Sequence, residues 1–189
     1  MIQKRIHKSI LYNFLGFSLL FGQSYNYSVV MPVPDLSFHS SIFYGLDILE
    51  QMDFKPLYGK TIGVLTNQTA VNRNGVHLLD LLKKHPKVNV EIIFTPQYGL
   101  FADQNERFKI DGKEKYDPIY GARIVEIFGR NVKPPAWSVR ELDLIIVDIQ
   151  DTGVRFSTYL ATITKLLEVA SEWKIPVIIL DRPNPLRGD

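Results

Sequence analysis

The sequence contains no cysteine. That excludes disulfides, thiolate metal sites, a cysteine nucleophile and lipid attachment at a terminal cysteine, and it leaves the redox compartment open. Histidine is scarce: four are scattered along the chain and none forms a His-x-x-x-His pair, so neither a zinc site nor any other metal site is expected. Glycine-rich phosphate cradles are missing too, since neither G-x-G-x-x-G nor G-x-x-x-x-G-K-[ST] occurs. A bound dinucleotide is therefore not expected, and no other cofactor is. A serine hydrolase finds no support either, because there is no G-x-S-x-G elbow. Excess charge of one sign is also lacking. The formal net charge is +2, but Lys4, Arg5 and Lys8 supply three of the 22 positive charges and no acid precedes Asp35; without those three the balance is 19 basic to 20 acidic. No concentrated basic footprint remains, so nucleic acid and anionic membrane surfaces are not expected partners.

What is present is apolar surface. Of the 189 residues 46% are hydrophobic and 22% charged, with eleven Phe, nine Tyr and two Trp, enough for the core of one folded domain and at most a small second one. Residues 1–24 read as a signal peptide: a basic start, an apolar run over 10–22, and Gly22-Gln23-Ser24 as a small-x-small cleavage site. The run is shorter than the about 20 residues of a membrane span, and Asn13 interrupts it. The expected mature protein begins near Tyr25, is periplasmic or secreted, and has no stable membrane insertion. Residues 25–43, with two prolines and no sustained period, read as a linker.

From residue 44 onward strands and helices alternate. A helix is expected over 45–52, a strand over 60–66, and a helix over 74–84 capped by Asn74 and stopped by Pro86. Strands follow at 88–95 and 123–128, with a short helical turn over 138–142. The strongest strand pattern is L-D-L-I-I-V-D-I at 142–149, a run suited to burial on both sheet faces. A helix over 158–173, with Leu160, Ile163, Leu166, Leu167 and Ala170 on one side, leads to a further buried strand at 175–180. Such alternation predicts parallel strands joined by right-handed crossovers, hence an α/β, doubly wound, mostly parallel, Rossmann-like sheet over 44–189.

In open parallel sheets ligands bind beyond the carboxyl ends of the strands. Those ends are polar here: T-N-Q-T at 66–69, T-P-Q-Y-G at 95–99, D-I-Q-D-T-G-V-R at 148–155 and D-R-P-N-P at 181–185. Four loops bringing carboxylate, guanidinium, amide and hydroxyl groups to one rim suit a polyhydroxylated or amide-bearing ligand. Each loop taken alone is equally consistent with caps and turns.

The strings G-L-D-I-L at 45–49, G-K-T-I-G-V-L-T-N-Q-T at 59–69, F-T-P-Q-Y-G-L-F at 94–101, V-D-I-Q-D-T-G-V-R-F-S-T-Y at 147–159 and L-D-R-P-N-P at 180–185 together resemble the NamZ-type exo-β-N-acetylmuramidases, long catalogued as a family of unknown function. The resemblance covers 44–189 with five motifs in order. It implies a bacterial, exported glycoside hydrolase that removes terminal N-acetylmuramic acid from peptidoglycan fragments during cell-wall turnover. It further implies a Rossmann-like N-terminal domain followed by a second domain, with the active site between them. Two departures stand out. Where active members carry Pro-Glu-His-Gly, with the glutamate as the proposed catalytic carboxylate, this sequence has Pro96-Gln97-Tyr98-Gly99; glutamine there also marks some other members, so the change is compatible with a subgroup. The chain also stops at Asp189, where the second domain should begin. A truncated or split reading frame, a lone working half, or a partner chain supplying the second domain are the expectations that follow.

Glycoside hydrolysis generally uses two carboxyl groups, one protonated and one ionised. The catalytic candidates are Gln97, at the family's glutamate position, with Asp148 and Asp151 as the strand-end acid/base pair; Asp103 and Glu106 are outsiders. Arg155 and Arg182 suit the lactyl carboxylate of muramic acid, because a guanidinium takes a carboxylate in bidentate fashion. Asn67, Gln68, Gln97 and Asn184 suit sugar hydroxyls or the acetamido group, and Tyr98, Gln150 and Tyr159 complete the substrate-binding candidates for a peptidoglycan-derived saccharide. The plain alternative for the aspartates is that Asp148 caps the segment after it and Asp151 pairs with Arg155 four residues on. A non-catalytic muropeptide- or sugar-binding module, or an inactive fragment, is the alternative function.

Overall fold

The computed structural model describes residues 43–101, 115–117, 119–129 and 132–186. They fall in one of the chain's two units, Phe43–Asp189; the other, Met1–Ile42, lies outside the described residues, and with it the signal-peptide reading. Asp103 and Glu106 lie outside them as well.

The elements in chain order are α1 (Gly45–Gln51), β1 (Thr61–Thr66), α2 (Leu78–Lys84), β2 (Asn89–Thr95), β3 (Lys115–Asp117), β4 (Ala122–Glu126), β5 (Leu144–Asp148), α3 (Tyr159–Glu172) and β6 (Val177–Ile179), with 3₁₀ turns at Lys55–Leu57 and Ala136–Ser138. The six strands form one sheet in the order β3-β4-β2-β1-β5-β6. All neighbours are parallel except the β3–β4 pair at one edge. From the central β1 the chain winds outward through β2 and β4, then returns to the other side of β1 for β5 and β6. The direction of winding therefore reverses between β1 and β5, and the loops leaving these two neighbours diverge to open a crevice.

Strand alternation divides the core in two. Ile62, Val64, Ile93, Leu144 and Ile146 face Leu46 and Leu49 of α1 and Leu78, Leu79 and Leu82 of α2. Leu65, Ile92, Phe94, Ile145 and Val147 face Leu166, Val169 and Ala170 of α3. Each fully buried Leu, Ile or Phe contributes about 1.5–3 kcal/mol of transfer free energy, so β1, β2 and β5 are the best-anchored strands and their ends the most firmly held points of the rim. Gly63 has a packing reason: a Cβ there would come within 2.6 Å of Leu142 and 2.8 Å of Phe94.

Four expectations need correction. Asn74 does not cap α2, which begins four residues later. Asn72 Oδ1 accepts the backbone N–H groups of Asn74 (3.0 Å) and Val76 (2.9 Å), holding 71–77 as a loop closed by a Val71–His77 bridge. His77 is the cap, its Nδ1 accepting from Leu79 N–H at 3.2 Å. The helical turn expected over 138–142 is a 3₁₀ turn at Ala136–Ser138. The inner face of α3 is Thr162, Leu166, Val169 and Ala170, whereas Leu160 is 66% exposed. Finally β6 is a partly exposed edge rather than a buried strand, and Ile179 is 56% exposed.

Candidate functional site

The rim is built outward from the ends of β1 and β5. Asn67, the first residue beyond β1, is fully buried. Its Oδ1 accepts from the backbone N–H of Thr69 (3.0 Å) and from the Thr69 hydroxyl (2.6 Å). Ala70 N–H donates to the Asn67 carbonyl at 3.1 Å, so N–H groups that a phosphate-binding turn would offer to a ligand are satisfied within this loop. His77 reaches the same carbonyl through Nε2 at 2.9 Å. Because its Nδ1 accepts from Leu79, the ring proton sits on Nε2, and one imidazole fastens the start of α2 to the end of β1. Thr69 Oγ1 in turn accepts from Gln150 N–H at 2.9 Å and ties the β1 loop to the β5 loop across the crevice.

Asp148 ends β5 and is fully buried. Arg182, just past β6, donates through Nε to Oδ1 and through Nη2 to Oδ2 at 3.0 Å, and the same Nη2 reaches the Val71 carbonyl at 3.0 Å. Its guanidinium lies 5.5 Å from the centre of the Tyr44 ring. Burial pushes the Asp148 carboxyl above its ordinary range, against the lowering pull of Arg182. Carboxylate and guanidinium satisfy one another here and close the crevice floor.

Asp151 sits differently. Its Oδ2 accepts from Gly153 N–H at 2.8 Å, while its Oδ1 is buried without a hydrogen-bond partner among the described residues. The i,i+4 pairing with Arg155 is not formed; Arg155 is exposed and has no ion-pair partner among the described residues. Gln150 Nε2 donates to the carbonyls of Asp151 and Pro183, both at 2.9 Å, which locks the β5 loop onto the β6 loop. Asn184 Oδ1 accepts from Leu186 N–H at 2.9 Å and abuts Gly153, where a Cβ would overlap it.

The β2 end approaches from the other side. Gln97 Oε1 accepts from the hydroxyl of Thr158 at 3.0 Å. Tyr98 is 52% exposed and holds a left-handed φ of 74°, a conformation in which a non-glycine residue is strained. Tyr159, half-buried at the start of α3, has its phenol pKa raised by burial; the Asn67 amide opposes this and the nearby Tyr98 phenol adds to it. Asn67, Gln97, Tyr98 and Tyr159 thus belong to one group, and Gln150, Asp151 and Asn184 to a second joined to it through Thr69. Asp148 and Arg182 pair beneath them. Gln68 and Arg155 stand exposed on the rim without side-chain partners among the described residues. Sequence reasoning missed Thr69, His77 and Thr158; Thr69 and Thr158 lay inside the quoted strings, but nothing local marks their long-range partners.

Among the described residues no group of three or more His, Asp or Glu is placed to hold a metal ion, and no helix is long and apolar enough to cross a membrane. The donor set of the crevice is amides, hydroxyls, phenols and carboxylates, the chemistry that reads a polar, uncharged or singly charged organic ligand.

The family described as "Exo-beta-N-acetylmuramidase NamZ, N-terminal" matches residues 62–189. The chain is 33% identical over 145 residues to the peptidoglycan beta-N-acetylmuramidase NamZ of Bacillus subtilis (strain 168), an alignment covering 77% of this chain and 34% of that protein. Two crystal structures of DUF1343 family proteins from Bacteroides fragilis NCTC 9343 have the same fold. One has a TM-score of 0.67 and 31% identity, covering 76% of this chain and 35% of the other. The second has a TM-score of 0.60 and 34% identity, covering 77% and 36%. The chain spans about a third of the length of these relatives. It belongs to the NamZ exo-β-N-acetylmuramidase family, related at that level to a glycoside hydrolase, and carries the family's N-terminal domain.

Proposed function

We propose that this domain recognises muramic-acid-terminated fragments of peptidoglycan in the crevice between the β1 and β5 ends and takes part in exo-acting removal of the terminal N-acetylmuramic acid. The observation that carries the reading is the pair of unpartnered buried polar atoms at that crevice, Asn67 Nδ2 and Asp151 Oδ1, in a chain of the muramidase family. Buried polar groups are nearly always hydrogen-bonded to protein or ordered water, and a ligand hydroxyl or amide at this rim would complete the network at these two atoms. Asp151 is the better carboxylate for proton transfer, since Asp148 is held bidentately by Arg182. Export, as the first 24 residues suggest, would bring the domain to its substrate in the periplasm or outside the cell.

One domain offers one wall of a cleft, whereas small-ligand sites commonly bury about 70% or more of the ligand. Turnover by this chain alone is accordingly expected to be far slower than by a relative of full length. A second reading is a saccharide-binding module without catalysis. Gln97 favours it, because an amide cannot exchange a proton and this one is anchored by Thr158. Release of N-acetylmuramic acid from a chromogenic muraminide separates the two. Slow release that Asp151→Asn abolishes supports the hydrolase, and sugar binding with no release in any variant leaves the module. Neither binding nor release, in protein shown to be folded, rejects both.

A further inference from the structure

Thr69, on the loop that leaves β1, is a half-buried threonine that the sequence does not mark, and both capacities of its hydroxyl are in use. Its oxygen accepts the backbone N–H of Gln150, on the loop that leaves β5, at 2.9 Å. Its proton goes to Asn67 Oδ1, 2.6 Å away and at the short end of the range for such bonds. The direction of this relay is forced, because a backbone N–H can only donate and a hydroxyl has one proton to pass on. The backbone N–H of Thr69 also donates to Asn67 Oδ1, at 3.0 Å. Two donors on one side-chain atom identify that end of the amide as the oxygen. Nδ2 is then the opposite end, buried and without a hydrogen-bond partner among the described residues.

Other groups hold the segments on either side of Thr69. The Asn67 carbonyl accepts from Ala70 N–H at 3.1 Å and from His77 Nε2 at 2.9 Å, which fixes its main chain and leaves the amide to Thr69. Gln150 is fixed through Nε2, which donates to the carbonyls of Asp151 and Pro183, both at 2.9 Å. The Thr69 hydroxyl joins these two anchored segments. One of them carries a spare donor, Asn67 Nδ2, and the other a spare acceptor, Asp151 Oδ1. Sugar hydroxyl and acetamido groups offer acceptors to the first and donors to the second. Resting on the proposed function above, we propose that Thr69 is a positioning residue of the saccharide site. It holds the Asn67 amide with Nδ2 available to an acceptor oxygen of the sugar, and it sets the β1 loop against the β5 loop that carries Asp151.

The test measures binding of N-acetylmuramic acid to the whole chain by titration calorimetry, on protein shown to be folded by near-ultraviolet circular dichroism. Thr69→Val keeps the shape of the side chain and removes both hydroxyl bonds. It should weaken binding about tenfold, the upper end of the usual net contribution of one hydrogen bond. Thr69→Ser keeps the hydroxyl and should restore the affinity. Because Thr69 acts through Asn67, Thr69→Val made in an Asn67→Ala background should weaken binding no further. In the wild type and in Thr69→Ser, the side-chain amide protons of Asn67 should shift in NMR spectra when the sugar is added, a readout that needs no destabilised variant. A lower melting temperature in Thr69→Val with affinity unchanged makes the threonine merely structural and overturns the inference. An equal loss with and without the Asn67 side chain, a loss that Thr69→Ser does not restore, or Asn67 amide signals that stay in place on binding also overturn it, and in each case the saccharide reading stands. Folded wild type that binds no sugar rejects that reading and the inference with it.

Discussion

Replacing Arg182 with methionine is a severe perturbation of this rim, and its size follows from the geometry. The change removes two donors from a carboxylate that has no access to water, one donor from the Val71 carbonyl, and a cation above the Tyr44 ring. Breaking a buried ion pair from one side typically costs about 3–5 kcal/mol, because the surviving charge is left desolvated and unpaired. Against the about 5–15 kcal/mol total stability of a small domain, that is a large share. For a domain of this size it corresponds to a melting temperature lowered by roughly 6–20 °C. The loss has a pH signature. Burial already raises the Asp148 carboxyl, and without Arg182 its main offset is gone, so its folded pKa rises further above the unfolded one. A group raised in this way has its full stability below the ordinary carboxylate range and loses it as pH climbs through the folded pKa. The deficit of Arg182→Met should therefore be smallest in acid and grow as pH rises through the folded pKa of Asp148. Removing the orphaned charge as well, in Asp148→Leu with Arg182→Met, should recover most of the loss. Chemical denaturation of the four proteins across pH reads all of this. A deficit below about 1 kcal/mol, a pH-independent deficit, or a double variant no better than the single one would refute the reasoning.

If position 97 is the only group missing for proton transfer, Gln97→Glu should raise release of N-acetylmuramic acid by about 10²–10⁴-fold, while sugar binding changes little because the side chains are nearly isosteric; should Asp151 serve alone, Gln97→Glu will leave the rate flat and Asp151→Asn will remove it. Gly153→Ala should destabilise by about 1–2 kcal/mol, since φ is +75° and the new methyl would overlap Asn184; an unchanged melting temperature would show that the two loops are not held together there. The phenols of Tyr58 and Tyr120 are both pushed up to about 12, Tyr58 chiefly by its hydrogen bond to Asp53 and Tyr120 chiefly by burial. Their contribution to stability is therefore complete below pH about 10, the ordinary tyrosine value, and lost as pH rises through 12; spectrophotometric titration should show late components, one of them removed by each Phe variant.

The sheet was legible in the sequence because β1, β2 and β5 are buried on both faces and so are written as nearly continuous apolar runs. β3 was not, being three residues, Lys-Tyr-Asp, paired antiparallel at an edge. The start of α2 was misread because Asn74 satisfies the local capping rule, while Asn72 wins its backbone N–H by a side-chain bond within the loop. The position of the rim followed from fold class alone, but its wiring did not. A local rule pairs Asp151 with Arg155 four residues on, whereas the observed pair joins Asp148 to Arg182 across 34 positions of chain. Thr158 illustrates the same limit. A threonine opening a helix reads as a cap, and only the folded chain brings Gln97, 61 residues away, within reach of its hydroxyl.

The central claim is that the crevice between the ends of β1 and β5 is where a muramic-acid sugar binds, and the most direct measurement is a crystal structure of the chain with N-acetylmuramic acid bound. With the sugar bound, it should lie against Gln97, Asp151 and Tyr159. Occupancy instead at the opposite end of the sheet, beside Asp53, Tyr58 and His85, would contradict it.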